Sequence, residues 1–160
     1  MPGIHPQPRV GHIHLKVADL ERAIGFYAGL LGFDVTTRYG AQAAFLSAGG
    51  YHHHIGLNTW ESKGGTPPAR GHTGLYHTAL LFADRPALAS VLKRLVAADY
   101  PIDGASDHGV SEAVYLTDPD GNGVELYRDR DEADWPRNPD GSLAMTNGRL
   151  DLAALLAEAP

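Results

Sequence analysis

The chain carries an internal repeat, and this repeat limits the folds that it can adopt. His12 and His77 each open a run of eight residues that ends in aspartate, at positions 12–19 and 77–84. A second match joins positions 44–47 to positions 114–117, with a larger offset along the chain. Repeats of this kind indicate two copies of one supersecondary unit. An insertion of five residues in the second copy accounts for the larger offset.

Each copy has the pattern of a strand followed by a helix and then by further strands. Asp19 and Asp84 are suited to helix N-caps, because a carboxylate accepts hydrogen bonds from the free amides of the first turn. Gly32 and Pro101 are suited to end the two helices. Apolar residues recur at helical spacing in both copies, at Leu20, Ile24, Tyr27 and Leu31 and at Leu88, Val91, Leu92 and Leu95.

The strand patterns alternate between an apolar face and a polar face. His12 and His14 share the polar face of the first strand, and Glu125 lies on that of the last. The turn sequence 118–123 is expected to bring Tyr115 close to Glu125 on the neighbouring strand. The pattern therefore predicts an α+β fold, with a curved mixed sheet, helices outside and a polar concave interior.

The composition excludes several classes of function. With no cysteine among 160 residues, the chain has no disulfide and no thiolate metal site. Its net charge of −6 argues against nucleic-acid binding. Its apolar runs are too short to span a membrane, and no targeting segment is visible, so we expect a cytoplasmic protein. Nine histidines are present, and imidazole with carboxylate is a ligand set for Fe, Mn, Zn or Ni.

The composition also predicts the domain organisation. We expect one domain over residues 1–128, containing two units at about 10–58 and 75–128, joined by the Gly/Pro-rich residues 59–73. Residues 129–160 are predicted to be a C-terminal extension with a short helix, docked on the domain or on a second subunit. A homodimer is expected.

Two histidines at matching points of the repeat, with one glutamate in a late strand, suggest a metal site. At about residues 10–128 the sequence resembles the vicinal oxygen chelate superfamily, also called the glyoxalase, bleomycin-resistance and dioxygenase superfamily. Members are built from paired βαβββ units. The family's metal is held by a His opening the first strand of each unit and by a Glu in the last strand of the second. The resemblance therefore implies His12, His77 and Glu125 as the metal ligands.

A narrower resemblance covers residues 108–125, which are similar to the signature of type I extradiol ring-cleavage dioxygenases. The His, Tyr, Asp-Pro, Gly and Glu spacings of that signature are all present, beginning with His108 and Tyr115. Ser106 departs from it, because Gly, Asn, Thr, Ile or Val is usual there. His53 matches the family's acid–base histidine.

The resemblance implies an Fe(II)-dependent dioxygenase acting on an aromatic diol and dioxygen, with Mn(II) as a substitute metal. Two imidazoles and one carboxylate leave three coordination positions open, two for a catechol and one for dioxygen. His108 and Tyr115 would hydrogen-bond the substrate oxygens, and His53 would move a proton.

Two alternatives stay open within the same fold. One is a lyase, isomerase or thiol transferase using another divalent metal, in which His108 and Tyr115 would be incidental. Glyoxalase I enzymes use a fourth ligand, a Glu in the first unit. The larger of the two repeat offsets puts Ile55 at that position, which disfavours such a site. The other alternative is a non-catalytic ligand-binding protein.

Several histidines and Tyr115 also have structural interpretations. His14 either lines the pocket or is a hydrogen-bonded interior histidine, and Tyr115 could equally be a core aromatic residue. Strand alternation places His52 and His54 on the face opposite His53, so only His53 is a candidate site residue.

Overall fold

The computed structural model describes residues 9–160. The chain divides into two compact units, Met1–Thr66 and Pro67–Pro160, and the boundary falls inside the Gly/Pro-rich residues 59–73. His5, for which the sequence suggests only a loop, lies outside the described residues. In residues 9–160 no helix is long and apolar enough to cross a membrane.

The first unit contains a four-stranded mixed sheet and one helical segment. Its elements are β1 (Ile13–Lys16), α1 (Leu20–Ile24), a π-helical continuation (Gly25–Leu30), β2 (Asp34–Tyr39), β3 (Ala43–Ser47) and β4 (Ile55–Asn58). The strand order is β1-β4-β3-β2, in which β1 is parallel to β4 and the other pairs are antiparallel.

The second unit repeats this arrangement and adds a strand. Its elements are β5 (Thr78–Phe82), α2 (Arg85–Ala97), β6 (Gly104–Asp107), β7 (Ser111–Thr117), β8 (Gly123–Asp129), a 3-10 turn (Glu132–Asp134), β9 (Gly148–Arg149) and α3 (Leu152–Leu156). The strand order is β5-β8-β7-β6-β9, and β5 is parallel to β8. Each unit is thus a βαβββ arrangement, and the predicted α+β class is confirmed.

The helices begin where their capping residues predict. The Asp19 carboxylate accepts a hydrogen bond from the Arg22 amide at 2.9 Å, and Asp84 accepts one from the Ala87 amide at 2.8 Å. In α2 the buried face is Leu88, Ala89, Val91, Leu92 and Leu95, as the helical spacing predicts. The first helix differs from its prediction because it widens into a π-helix over Gly25–Leu30. It stops before Gly32, whose φ is 88°, as predicted.

Residues 129–160 pack within the second unit. Strand β9 pairs with β6, and α3 contacts α2. Leu150 and Leu155 are buried, and Arg85 of α2 forms an ion pair with Glu158. These contacts tie the end of the chain to the sheet that carries His77 and Glu125.

Candidate active site

Four predicted site residues of the second unit form one continuous hydrogen-bonded chain. His77 Nε2 lies 2.9 Å from Glu125 Oε2. The Tyr115 hydroxyl oxygen lies 3.2 Å from Glu125 Oε1 and 2.7 Å from His108 Nε2, and its single proton can be donated to one of these two acceptors at a time. Two proposed metal ligands are therefore joined directly to the two residues proposed to bind substrate.

The strand register explains why these side chains meet. Tyr115 on β7 is paired with Glu125 on β8, and side chains directly opposite each other in an antiparallel pair are neighbours. The predicted approach of Tyr115 to Glu125 is confirmed. On the other side of β8, parallel pairing with β5 starts at Thr78 and Val124, so His77 comes level with Gly123.

Gly123 permits the close contact between the two strands at His77. A Cβ atom at Gly123 would lie 2.3 Å from the Tyr76 carbonyl oxygen and 3.2 Å from the Cβ of His77. Because atoms cannot approach so closely, any larger residue would push β5 away from β8 at the position of His77.

A cavity of about 530 Å³ opens beside this chain of residues. His77, His108 and Tyr115 contribute to its wall, together with polar groups that include Ser106 and Asn147. Partial burial and the Glu125 carboxylate raise the pKa of Tyr115 to about 12. The Tyr115 hydroxyl therefore keeps its proton at neutral pH and is available as a hydrogen-bond donor.

The first unit brings together the other two predicted site residues. The rings of His12 and His53 are 4.4 Å apart, and the ring of Phe45 lies 5.1 Å from that of His53. Partial burial and the neighbouring His12 lower the pKa of His53, and the same two causes lower the pKa of His14. A lowered pKa leaves the His53 imidazole neutral near pH 7 and able to accept a proton.

His14 has the contacts of a fixed structural side chain. Its Nε2 lies 3.0 Å from the amide nitrogen of the Asn58 side chain, and its ring is 5.8 Å from that of Phe45 and 5.8 Å from that of Trp60. The hydrogen bond agrees with the interpretation of His14 as a hydrogen-bonded histidine, but the side chain is exposed and not interior.

The prediction that His52 and His53 lie on opposite faces is wrong. Their Nδ1 atoms are 2.7 Å apart. The alternation rule does not apply because both residues precede β4, which begins at Ile55. His54 contacts Ser47, whose hydroxyl oxygen lies 3.1 Å from His54 Nδ1.

The position in the first unit that corresponds to Glu125 is Gly56 and not Ile55. Gly56 pairs with Phe45 on β3, as Glu125 pairs with Tyr115 on β7, and the pairing with β1 gives the same alignment. The repeat offset that selected Ile55 fails here because the β3–β4 connection is one residue longer than the β7–β8 connection.

Gly56 leaves no room for a fourth metal ligand. A Cβ atom at this position would lie 2.9 Å from two ring atoms of His14. A glutamate here would displace the ring of His14. The first unit therefore has a steric reason to lack a fourth carboxylate ligand at this position.

The donor atoms of the second unit fit a divalent cation. Imidazole nitrogen and carboxylate oxygen are both ligands that divalent cations take in proteins. His77 Nε2 and Glu125 Oε2 meet at 2.9 Å, a hydrogen-bonding distance, and so supply one donor atom of each kind at one place. His77 Nδ1 is buried without a hydrogen-bond partner, so the bonding of this ring is incomplete without a further group.

Within either unit, the described residues hold no group of three His, Asp or Glu side chains able to ligate one ion. His77 and Glu125 belong to the second unit and His12 to the first. The three-residue metal site therefore stays a prediction.

Sequence patterns missed two residues at this site. Gly123 looked like part of a turn, whereas it sets the spacing of β5 and β8. Thr146, in the extension, accepts a hydrogen bond from His108 through its backbone carbonyl oxygen. No local signal identifies Thr146, because its carbonyl is a backbone group that every residue has.

Comparisons with known proteins identify a family and several relatives that this chain resembles. The model of the Glyoxalase/Bleomycin resistance protein/Dioxygenase superfamily matches residues 9–126. A catechol-2,3-dioxygenase of Bacillus subtilis (strain 168) is 39% identical over 160 residues, covering 99% of this chain and 55% of the relative. Biphenyl-2,3-diol 1,2-dioxygenase 3 of Rhodococcus globerulus is 35% identical over 127 residues, covering 76% of this chain and 64% of the relative. The chain thus spans less than two thirds of either relative's length.

Solved structures share the fold at lower sequence identity. A glyoxalase/dioxygenase from Nostoc punctiforme matches with a TM-score of 0.66 and 20% identity, over 82% of this chain and 97% of that one. A lactoylglutathione lyase from Agrobacterium tumefaciens matches with a TM-score of 0.59 and 22% identity, over 78% and 96%. These matches concern the architecture alone.

Proposed function

Because this chain belongs to the glyoxalase/bleomycin resistance protein/dioxygenase superfamily, we propose that it is an Fe(II)-dependent extradiol dioxygenase. It would open the ring of a catechol-type substrate next to its two hydroxyl groups, and both atoms of dioxygen would enter the product. The relatives named as catechol and biphenyl-diol dioxygenases support this substrate class.

One observation carries the proposal: the continuous chain His77–Glu125–Tyr115–His108. A metal site alone would serve many reactions of this fold. A tyrosine in contact with the proposed ligand Glu125, and a histidine in contact with that tyrosine, would place polar side chains beside a catecholate bound at the metal.

His77, Glu125 and His12 would hold the ion. When bound, Fe(II) would supply open coordination positions for the two substrate oxygens and for dioxygen. With two neutral imidazoles and one carboxylate as ligands, the site keeps a net positive charge, which favours a catecholate over a neutral catechol.

The remaining residues bind the substrate and manage its protons. The Tyr115 hydroxyl, which keeps its proton because its pKa is raised to about 12, would donate to a substrate oxygen. His108 Nε2 lies 2.7 Å from that hydroxyl and would orient it toward the bound catecholate. His53, with its lowered pKa, would accept the proton that the substrate releases.

A four-ligand isomerase site receives no support from the first unit. Gly56 occupies the position that corresponds to Glu125, and the ring of His14 fills the space beside it. A three-ligand site with open positions agrees with this arrangement.

The proposal is tested by reconstituting the protein with Fe(II) under anaerobic conditions and then adding oxygen with catechol, methylcatechols or biphenyl-2,3-diol. We expect oxygen uptake and a new absorbance from the ring-opened product with at least one substrate. Elemental analysis before and after reconstitution establishes the metal content. A metal-loaded protein that consumes no oxygen with any catechol would contradict the proposal and favour a lyase or a binding protein.

Replacing Tyr115 by Phe or His108 by Ala is expected to lower kcat at least about 100-fold, since a positioned proton donor or acceptor contributes about 10²–10⁴-fold. The iron content should stay unchanged, because neither residue is a proposed ligand. Tyr127→Phe, in the same sheet but outside the cavity wall, is the matched control and should keep its turnover within about twofold. If the Tyr115 and His108 variants both turned over normally, neither residue would have the proposed role in binding the substrate.

A further inference from the structure

The C-terminal residues 136–149, here called the C-terminal segment, are bonded to the loop that carries His108. The Thr146 amide donates to the His108 carbonyl oxygen at 3.0 Å, and the Thr146 hydroxyl donates to the Asp107 carbonyl oxygen at 3.3 Å. Two residues later, Gly148 pairs with Asp107 as β9 joins the edge of β6. The segment is thus fixed to the backbone on either side of the His108 side chain.

The packing at Gly109 shows how closely the segment and the loop approach each other. Gly109 has a φ of 76°, in the left-handed region that favours glycine. A Cβ atom there would lie 2.8 Å from Cγ of Pro136 and 3.2 Å from the hydroxyl oxygen of Thr146. No side chain fits between them, so the loop is in van der Waals contact with the segment.

The hydrogen bonds of His108 determine which ring nitrogen carries a proton. Nδ1 lies 3.0 Å from the carbonyl oxygen of Thr146, and a carbonyl oxygen can only accept, so Nδ1 must be the protonated donor. The hydrogen bond at one ring nitrogen sets the state of the other. Nε2 is therefore the bare nitrogen and accepts the proton of the Tyr115 hydroxyl, whose oxygen is 2.7 Å away.

We propose that Thr146 is a positioning residue, whose backbone carbonyl holds His108 in the Nδ1-protonated form with Nε2 directed at Tyr115. The consequence for turnover rests on the proposed function, whereas the protonation pattern does not. The segment lies beyond residues 9–126, which the family model matches, and Asn147 next to Thr146 lines the cavity. The C-terminal segment therefore contributes directly to the site.

The first test uses metal-free protein labelled with ¹⁵N-histidine. Long-range ¹H–¹⁵N spectra distinguish a protonated ring nitrogen from a bare one, and His108→Gln identifies the His108 signals by their loss. We expect a protonated His108 Nδ1 in the wild type at neutral pH. A His108 ring protonated only at Nε2 would overturn the proposal, whatever the variants do.

The second test compares Thr146→Pro with Thr146→Ala. Proline removes the amide hydrogen that bonds the His108 carbonyl oxygen, so the segment is released; alanine keeps both backbone bonds and is the matched control. We expect His108 in the proline variant to lose its single protonation pattern, and His108 in the alanine variant to keep it. Thermal melting is measured for both, to verify that each variant is folded.

Turnover of the Fe(II)-loaded variants completes the test. We expect Thr146→Pro to lower kcat about 10–100-fold with a smaller change in KM, the range found when groups that orient active-site ligands are lost. Thr146→Ala should stay close to wild type. A folded proline variant with wild-type kcat would overturn the positioning role. If no variant or wild type cleaves a catechol, the proposed function fails, while the His108 spectra still decide the protonation pattern.

Discussion

Gly123→Ala is expected to disable the site while leaving the protein folded. The added methyl group would lie 2.3 Å from the Tyr76 carbonyl oxygen, so β5 must move away from β8 beside His77. Forcing an extra methyl group into a packed region costs about 1–3 kcal/mol of stability. Moving His77 relative to Glu125 by about 1 Å is enough to lower kcat/KM about 100-fold. Iron affinity, measured by competition with a chelator, should fall in parallel.

The matched control is Gly104→Ala. Gly104 lies on β6 in the same sheet and pairs directly with Tyr115, but a Cβ atom there meets nothing within 4 Å. Because alanine restricts the unfolded chain more than glycine does, stability should be unchanged or slightly raised. Equal loss of iron affinity in both variants would show that the spacing at His77 is not what Gly123 controls.

Glu112→Ala is expected to lower the free energy of unfolding by about 3–5 kcal/mol. Glu112 is 4% exposed, and its carboxylate binds the guanidinium groups of Arg85, Arg128 and Arg130. Removing the carboxylate leaves three partly buried cations facing one another with only the counter-charges of Glu158, at Arg85, and of Asp107, at Arg130. Since small domains are stable by only about 5–15 kcal/mol, this loss is a large part of the total.

Urea denaturation of the wild type and the variant measures this loss. Glu132→Ala is the control, because Glu132 is an exposed carboxylate 3.9 Å from Arg137, and a surface ion pair contributes at most about 1 kcal/mol. A Glu112 variant as stable as the Glu132 variant would mean that solvent compensates the three arginines. Glu112 lies on β7, three residues before Tyr115, so its ion pairs also hold the strand that carries the site.

Local patterns predicted much of the fold correctly. The carboxylates of Asp19 and Asp84 cap their helices, and the approach of Tyr115 to Glu125 follows from a turn sequence and strand alternation. These predictions succeed because each depends on residues close together in the chain. The three-residue metal site, the homodimer and the cytoplasmic location do not follow from local patterns in this way, and they stay predictions.

The errors have equally local causes. His52 and His53 were separated by an alternation rule that holds only inside a strand, and both precede β4. Ile55 was aligned with Glu125 by counting residues, but one extra residue in a connection shifts the count, and the strand register selects Gly56. The register of a strand is fixed by its hydrogen-bonded pairing with its neighbour, and counting residues along the sequence does not reveal it.

The sequence by itself determined that this protein repeats a unit of strand, helix and further strands, and where the helices begin. Its resemblance to a known family implied which imidazole and carboxylate groups could serve one cation. Only the tertiary structure decided how closely β5 may approach β8 at Gly123, which buried carboxylate holds three arginines, and that Thr146 fixes the ring of His108. The physical reason is that a side-chain pattern records the burial and capping preferences of a segment. Steric contact and backbone hydrogen bonds between distant segments exist only once those segments are packed.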